Sequence, residues 1–131
     1  MTVVDASVAL EWLIGRPLAV SRALLEAHVA GTASLVAPDL LHYEIGNVLV
    51  TRTAIPIHEV TELFDHWLEL DVETYALGDE EHRNALDLAK RHRLTFYDAA
   101  YLALARSLDC RLATADRKLA RAGASMGRLH G

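Results

Sequence analysis

The sequence holds a single cysteine, Cys110, so no intramolecular disulfide is available and stability has to come from packing. Cys110 follows a helical pattern and opens an apolar run, and we read it as a small core residue. Prolines number only three, and no linker, repeat or low-complexity stretch breaks the chain. No segment approaches the roughly 20 consecutive apolar residues of a membrane-spanning helix. The opening Met1-Thr2-Val3-Val4-Asp5 has no basic region and no apolar leader, so a cytoplasmic protein with no membrane contact is expected. A Gly-rich phosphate loop is also missing, which argues against a nucleotide kinase or GTPase.

What is present suits one compact domain spanning 1–131, with 52% hydrophobic and 24% charged residues to supply a core and a wetted surface. The net charge of −5 argues at first against a nucleic-acid partner, but its distribution does not. Residues 1–82 contain no lysine and balance to −11, whereas residues 83–131, rich in arginine, balance to +6. A basic stretch of this kind can bind phosphate locally whatever the overall sign. Arg91, Arg93, Arg117, Lys118 and Arg121 are the candidates for such footing, although solvated helix faces would show the same asymmetry.

Short apolar runs alternate with helical patterns. Strands are predicted at Thr2–Asp5, Leu35–Ala37, Asp71–Leu77 and Arg111–Thr114, with a frayed last strand at Ser125–Leu129. Helices are predicted over Ser7–Ile14, Leu18–Ala30, Asp39 to about Arg52, a segment after Pro56, Glu80–His92 under an Asp79 cap, Thr95 to about Leu108, and Asp116–Ala122. Val60, Leu63, Phe64, Trp67 and Leu68 give the helix after Pro56 one bulky apolar face. Gly46 inside a helix is read as a point of close packing. Strands separated by helices imply crossover connections and a parallel sheet covered on both faces. Ligands in such folds sit outside the carboxyl ends of the strands, where the strand order reverses.

Several acids fall at those ends. Asp5 directly follows Val3-Val4; it can be a helix cap, although Ser7 can serve that purpose alone. Glu44 stands three residues after Leu41 and four before Val48, on the buried stripe of its helix, with no Lys or Arg near it in sequence. A carboxylate there is costly unless a cation meets it. Asp98 follows Thr95 by three residues at the start of an apolar helix, a capping-box arrangement. Ala99, Ala100, Ala103 and Ala105 let that helix approach the sheet closely. Asp116 lies just past the last clear strand and alone would be read as a cap. Together, four such carboxylates suit the hard cations Mg²⁺ or Mn²⁺ and the hydrolysis of a phosphodiester.

At these residues the sequence resembles the PIN-domain family, specifically its VapC-type toxin ribonucleases. The matching stretches are Val3–Ser7, Ala37–Leu41 with Glu44 and Asn47–Leu49, Tyr97–Ala105 and Leu112–Leu119, in the family's order and spacing. The resemblance implies a three-layer α/β fold with a mostly parallel sheet of about four to five strands flanked by helices. It implies a catalytic quartet of Asp5, Glu44, Asp98 and Asp116. Asp5 and Asp98 would be the principal metal ligands, Asp116 would complete the site, and Glu44 would act through water held by the metal. Ser7 and Thr114 match hydroxyl positions that would help to position substrate. An RNA substrate, a homodimer and a neutralising cognate antitoxin are implied as well. The rival readings are a PIN-type nuclease of RNA processing and a metal-free PIN-like RNA-binding module. A haloacid-dehalogenase phosphatase would need a second acid where Ser7 stands, and a receiver domain would need an acid pair beside Asp5. The segment Thr51–Pro56 and the tail Met126–Gly131 fit the family loosely.

Overall fold

The architecture was obtained as a computed structural model, which describes residues 1–52 and 54–130. Strands β1 (Thr2–Val4), β2 (Leu35–Pro38), β3 (Glu73–Tyr75) and β4 (Arg111–Ala113) form one parallel sheet in the order β3-β2-β1-β4. Helices α1 (Ala6–Ile14) and α2 (Ala19–Val29) join β1 to β2, and α3 (Leu40–Thr51) and α4 (Ile57–Glu69) join β2 to β3. Helices α5 (Asp79–His92) and α6 (Phe96–Ser107) return the chain to β4, which α7 (Arg117–Ser125) follows.

The first two crossovers step one way along the sheet and the third steps back past β1. Right-handed connections therefore place α1–α4 on one face and α5–α6 on the other, with α7 packed on α6. The strand order reverses between β1 and β4, so the crevice expected of such sheets opens at the carboxyl ends of those two strands. The loop Val4-Asp5 leaves one side of it and Thr114–Asp116 the other.

Every residue of β1 and β2 is buried, as expected of strands sandwiched between helix layers. Helix α6 is buried all round from Ala99 to Ala105, and it packs on β1, β2 and β4. Its four alanines permit that approach, while Leu102 and Leu104 fill the space between. In α3, Leu41, Ile45 and Leu49 recur every fourth residue and are wholly buried, each contributing roughly 1.5–3 kcal/mol.

Several sequence expectations are refined. The strand predicted over Asp71–Leu77 contracts to Glu73–Tyr75, and Asp71 adopts a left-handed φ of 52° that ends α4. The predicted last strand is replaced by the end of α7 and one parallel bridge between Leu112 and Leu129. Gly78, not Asp79, caps α5; Asp79 is its first residue, where its charge still favours the helix N-terminus. In α4, Trp67 is buried and its Nε1 donates to His42 Nδ1 at 2.9 Å, with Val60, Leu63 and Phe64 half-buried beside it. Leu68 lies about 80° round the helix from Val60 and is 51% exposed, so it leaves the apolar face. A Cβ added at Gly46 would meet Phe64 only at 3.9 Å, ordinary van der Waals contact, so that glycine is not demanded by close packing. Cys110 is buried and free, and burial pushes its thiol pKa up, which suits an inert core residue.

Candidate active site

Asp5 ends β1 and is 4% exposed, one of the few buried polar side chains in the molecule. Its Oδ1 accepts the Val8 backbone N–H at 3.2 Å, so Asp5 is itself the N-cap of α1. Ser7 does not cap the helix. Its hydroxyl instead donates to Asp5 Oδ1 at 2.6 Å and accepts the Ala115 N–H at 2.8 Å. Thr114 mirrors it, donating to Asp5 Oδ2 while accepting the Asp116 N–H at 3.0 Å. Both hydroxyl protons are thus spent on Asp5, and the 3.3 Å between Ser7 Oγ and Thr114 Oγ1 is a close approach of two acceptors. Two backbone N–H groups of the β4–α7 loop are wired through two hydroxyls to one carboxylate. The expected substrate-positioning pair is therefore engaged in holding Asp5 and clasping the two edges of the crevice together.

The same chain geometry places the other acids. Thr95 caps α6 by accepting the Asp98 N–H at 3.0 Å, as the capping-box spacing predicted, and this holds Asp98 in the first turn. Asp116 caps α7 through the Leu119 N–H at 2.9 Å. Glu44 rises from the middle of α3 and is half-buried, with Oε1 accepting the Tyr101 hydroxyl at 2.5 Å.

The charges of these groups act on one another. Burial raises the pKa of Asp5 from its ordinary value, its three hydrogen bonds oppose the rise, and Asp98 adds to it. Glu44 is raised first by burial and then by the charges of Asp98 and Asp5, with Tyr101 opposing. Asp98 is raised by burial and by Asp116, and lowered by Thr95 and Lys118. Like charges are therefore gathered at a crevice without a paired base: the ion pairs of the described residues, Arg91–Asp87 at 2.8 Å and Arg128–Asp109 at 3.2 Å, lie elsewhere. Among the described residues, no three His, Cys, Asp or Glu side chains close on a common point as a ready cage. The donor set is nevertheless all oxygen, from carboxylates and hydroxyls, which is the chemistry of a hard divalent cation rather than zinc.

Tyr101 is the site residue that the sequence reading passed over. It lies three residues after Asp98, hence on the same side of α6, and that spacing was the available signal. Its hydroxyl pKa is raised by burial and by the Glu44 carboxylate it serves. Tyr101→Phe removes the hydroxyl that donates to a half-buried carboxylate, so the Glu44 pKa should climb further and stability at neutral pH should fall by about 1–3 kcal/mol. Carboxyl-carbon NMR titration and urea denaturation measure the two effects; an unmoved Glu44 titration would show that the contact does not tune it.

Of the five basic candidates, Lys118 is the one whose charge reaches the acids, through Asp98. Arg91 is tied to Asp87, and it lines a separate basic pocket with Arg106 and Arg128. Arg106 lies eight residues beyond Asp98 on α6, about 12 Å along the helix axis, so that pocket does not border the crevice.

The fold and the site together define an α/β domain with a carboxylate-lined crevice at the switch point of a parallel sheet. Comparison with known proteins gives that class a family: the PIN domain model matches residues 2–125. The chain is 35% identical over 127 residues to Ribonuclease VapC1 of Mycobacterium tuberculosis, covering 92% of this chain and 89% of that protein. It is 35% identical over 102 residues to Ribonuclease VapC3 of Pyrobaculum aerophilum, covering 72% of this chain and 76% of that protein. Among solved structures it is similar to PAE2754 from Pyrobaculum aerophilum, with a TM-score of 0.68 at 24% identity over 92% of this chain and 83% of that one. The chain belongs to the PIN-domain family, and its curated relatives are VapC-type members of it.

Proposed function

We propose that this protein is a metal-dependent endoribonuclease of the VapC toxin type, hydrolysing RNA and held in check by a cognate antitoxin. The observation that carries the reading is the gathering of Asp5, Glu44 and Asp98, with Asp116 acting on Asp98, at one crevice where no ion pair among the described residues meets them. The relatives named as ribonucleases supply the substrate class.

Asp5, Asp98 and Asp116 would hold Mg²⁺ or Mn²⁺. When bound, the cation supplies charge neutralisation at the phosphate and a lowered pKa for attacking water. The chain's own residues do the rest. Ser7, Thr114 and the Val8 N–H fix Asp5 in one rotamer, so that it need not reorganise when substrate arrives. Glu44, with its pKa raised by burial and by its neighbours, is poised to take a proton from water on the reaction path, and Tyr101 orients it. Lys118, beside Asp98, offers the incoming phosphate a positive contact.

The partner reading rests on the α3–α4 side. A groove of about 550 Å³ there is bordered by Tyr43, Val50 and Phe64, and Tyr43 and Val50 are 76% and 71% exposed. Large apolar side chains left open in this way suit an antitoxin helix or a second copy of the chain. No helix among the described residues is long and apolar enough to cross a membrane.

Incubating the purified chain with single-stranded RNA in Mg²⁺, in Mn²⁺ and in EDTA tests the activity, with sequencing of the new 5′ ends. Internal cuts in either metal and none in EDTA are expected. Intact RNA in both metals would overturn the nuclease reading. Metal-independent cutting would overturn the role of the acids. Light scattering with the product of the neighbouring gene tests the partner, and a chain that ignores it would refute the toxin assignment.

A further inference from the structure

A second concavity opens next to the acids, at the carboxyl ends of β2 and β3. It encloses about 330 Å³ and is lined by the aromatic residues Tyr75, His82, Phe96 and Tyr97 together with Asp39. Phe96 and Tyr97 open α6 in the same turn as Asp98, yet they are 38% and 59% exposed, whereas Tyr101, one turn on, is 1% exposed. The His82 ring is stacked on Phe96, with centroids 6.1 Å apart and planes 21° off parallel. His82 Nδ1 lies 2.7 Å from the Gly78 carbonyl and so donates to it, leaving Nε2 as the ring's other polar atom. Asp39 heads α3 as Asp5 heads α1 and Asp116 heads α7, but its carboxylate makes no capping hydrogen bond. Its backbone N–H, by contrast, is pinned to the Tyr75 carbonyl at 2.9 Å. Among the described residues, a carboxylate with no capping bond therefore lines an aromatic pocket.

The chemistry of the walls selects the occupant. Neither Lys nor Arg lines the pocket among the described residues, so a phosphate is disfavoured there. A flat, uncharged ring that stacks on aromatic faces is favoured, and an edge bearing N–H groups would satisfy Asp39 and His82. Guanine fits best. Its two adjacent Watson–Crick N–H donors can meet one carboxylate in parallel, as a guanidinium does. Tyr97 and Asp98 are consecutive, with Cα atoms about 3.8 Å apart, so the pocket and one of the acids share the first turn of α6.

From this geometry we infer that the pocket between β2, β3 and the start of α6 is a specificity subsite that takes one unstacked guanine of single-stranded RNA beside the bond to be cut. The inference rests on the ribonuclease reading above, and the test separates the two. Ring NMR signals of the intact wild-type chain are followed while 5′-guanosine monophosphate or 5′-uridine monophosphate is added. Cleavage of RNA oligonucleotides differing at one base is measured for the wild type, Tyr97→Leu, Phe96→Leu and Asp39→Asn.

Shifts at His82, Phe96 and Tyr97 with the guanine nucleotide, and weaker ones with the uridine nucleotide, are expected. Tyr97→Leu should raise KM for the guanine-bearing oligonucleotide roughly tenfold with kcat little changed, the size of one lost base–aromatic stack. Asp39→Asn should erode the preference for guanine without abolishing cleavage. If RNA is not cut but the guanine nucleotide still moves these rings, the subsite stands and the nuclease reading falls. If RNA is cut and all three variants keep the wild-type KM and base preference, the subsite is refuted. Ring signals that move with chain concentration alone would refute it as well, by marking the pocket as a contact between copies.

Discussion

Asp5→Asn is expected to lower Mg²⁺-dependent RNA cleavage by roughly 100- to 1,000-fold or more while leaving the chain folded. The folding half of this expectation follows from the hydrogen bonds. The amide oxygen can occupy the Oδ1 position and keep the Ser7 hydroxyl and the Val8 N–H. The amide nitrogen then faces Thr114 Oγ1, whose second lone pair can accept it alongside the Asp116 N–H. The α1 cap survives, and a buried charge is removed from among like charges, so thermal stability in metal-free buffer should hold or rise. The activity half follows because a neutral amide cannot supply the negative charge that a hard cation requires. Asp98→Asn should behave alike, since its backbone bond to Thr95 is untouched and the amide oxygen can keep the Thr95 contact that favours the carboxylate. Cleavage assays and melting curves on both variants check this. Full activity in either, with the fold intact, would remove that acid from the site.

The positions of the candidate acids were more legible in the sequence than the interactions around them. Strand-end acids and capping spacings are local signals, so Asp5, Asp98 and Asp116 could be placed by their neighbours alone, and Thr95 and Asp116 do cap their helices. Parallel pairing also followed from the alternation of strands and helices, and the four strands are parallel. The Ser7–Asp5–Thr114 clasp joins residues more than a hundred positions apart, and no local pattern encodes that. The sequence leaves the capping of α1 open between Asp5 and Ser7, because both side chains are good caps. The tertiary contact with Ala115 claims the Ser7 oxygen and leaves the capping to Asp5. Tyr101 was hidden for a related reason. An aromatic residue inside an apolar helix reads as core, and only the approach of α3 reveals that its hydroxyl serves Glu44. The exposure of Leu68 came from helix phase, a matter of one position at the edge of a stripe.

The metal-free protein should be more stable at mildly acidic pH than at neutral pH, and Mg²⁺ should cancel that difference. Asp5 and Asp98 have folded pKa values raised above the ordinary 3.8, and Glu44 above 4.5, in each case chiefly by burial. A group with a raised folded pKa binds its proton more tightly when folded. Its contribution is complete below the unfolded value and is lost as pH climbs through the folded one. The loss therefore begins near pH 4 and is spread upward by the raised values. A carboxyl whose folded pKa lies one unit above its unfolded value accounts for about 1.4 kcal/mol, less for Glu44 and Asp98, which are partly open to water. In EDTA, Tm should rise by roughly 3–6 °C for each kcal/mol recovered as pH falls from 7.5 towards 5. A bound divalent cation replaces the protons as the partner of the carboxylates. Millimolar Mg²⁺ should thus raise Tm at pH 7.5 and do progressively less as pH falls and protons compete for the same oxygens. Scanning calorimetry across this range, with and without Mg²⁺, separates the two effects. In Asp5→Asn the acid-side gain and the Mg²⁺ response should both shrink, because one member of the repelling set is gone. A Tm at pH 7.5 that ignores Mg²⁺ in the wild type would mean that the carboxylates do not share a cation, whatever their mutual repulsion.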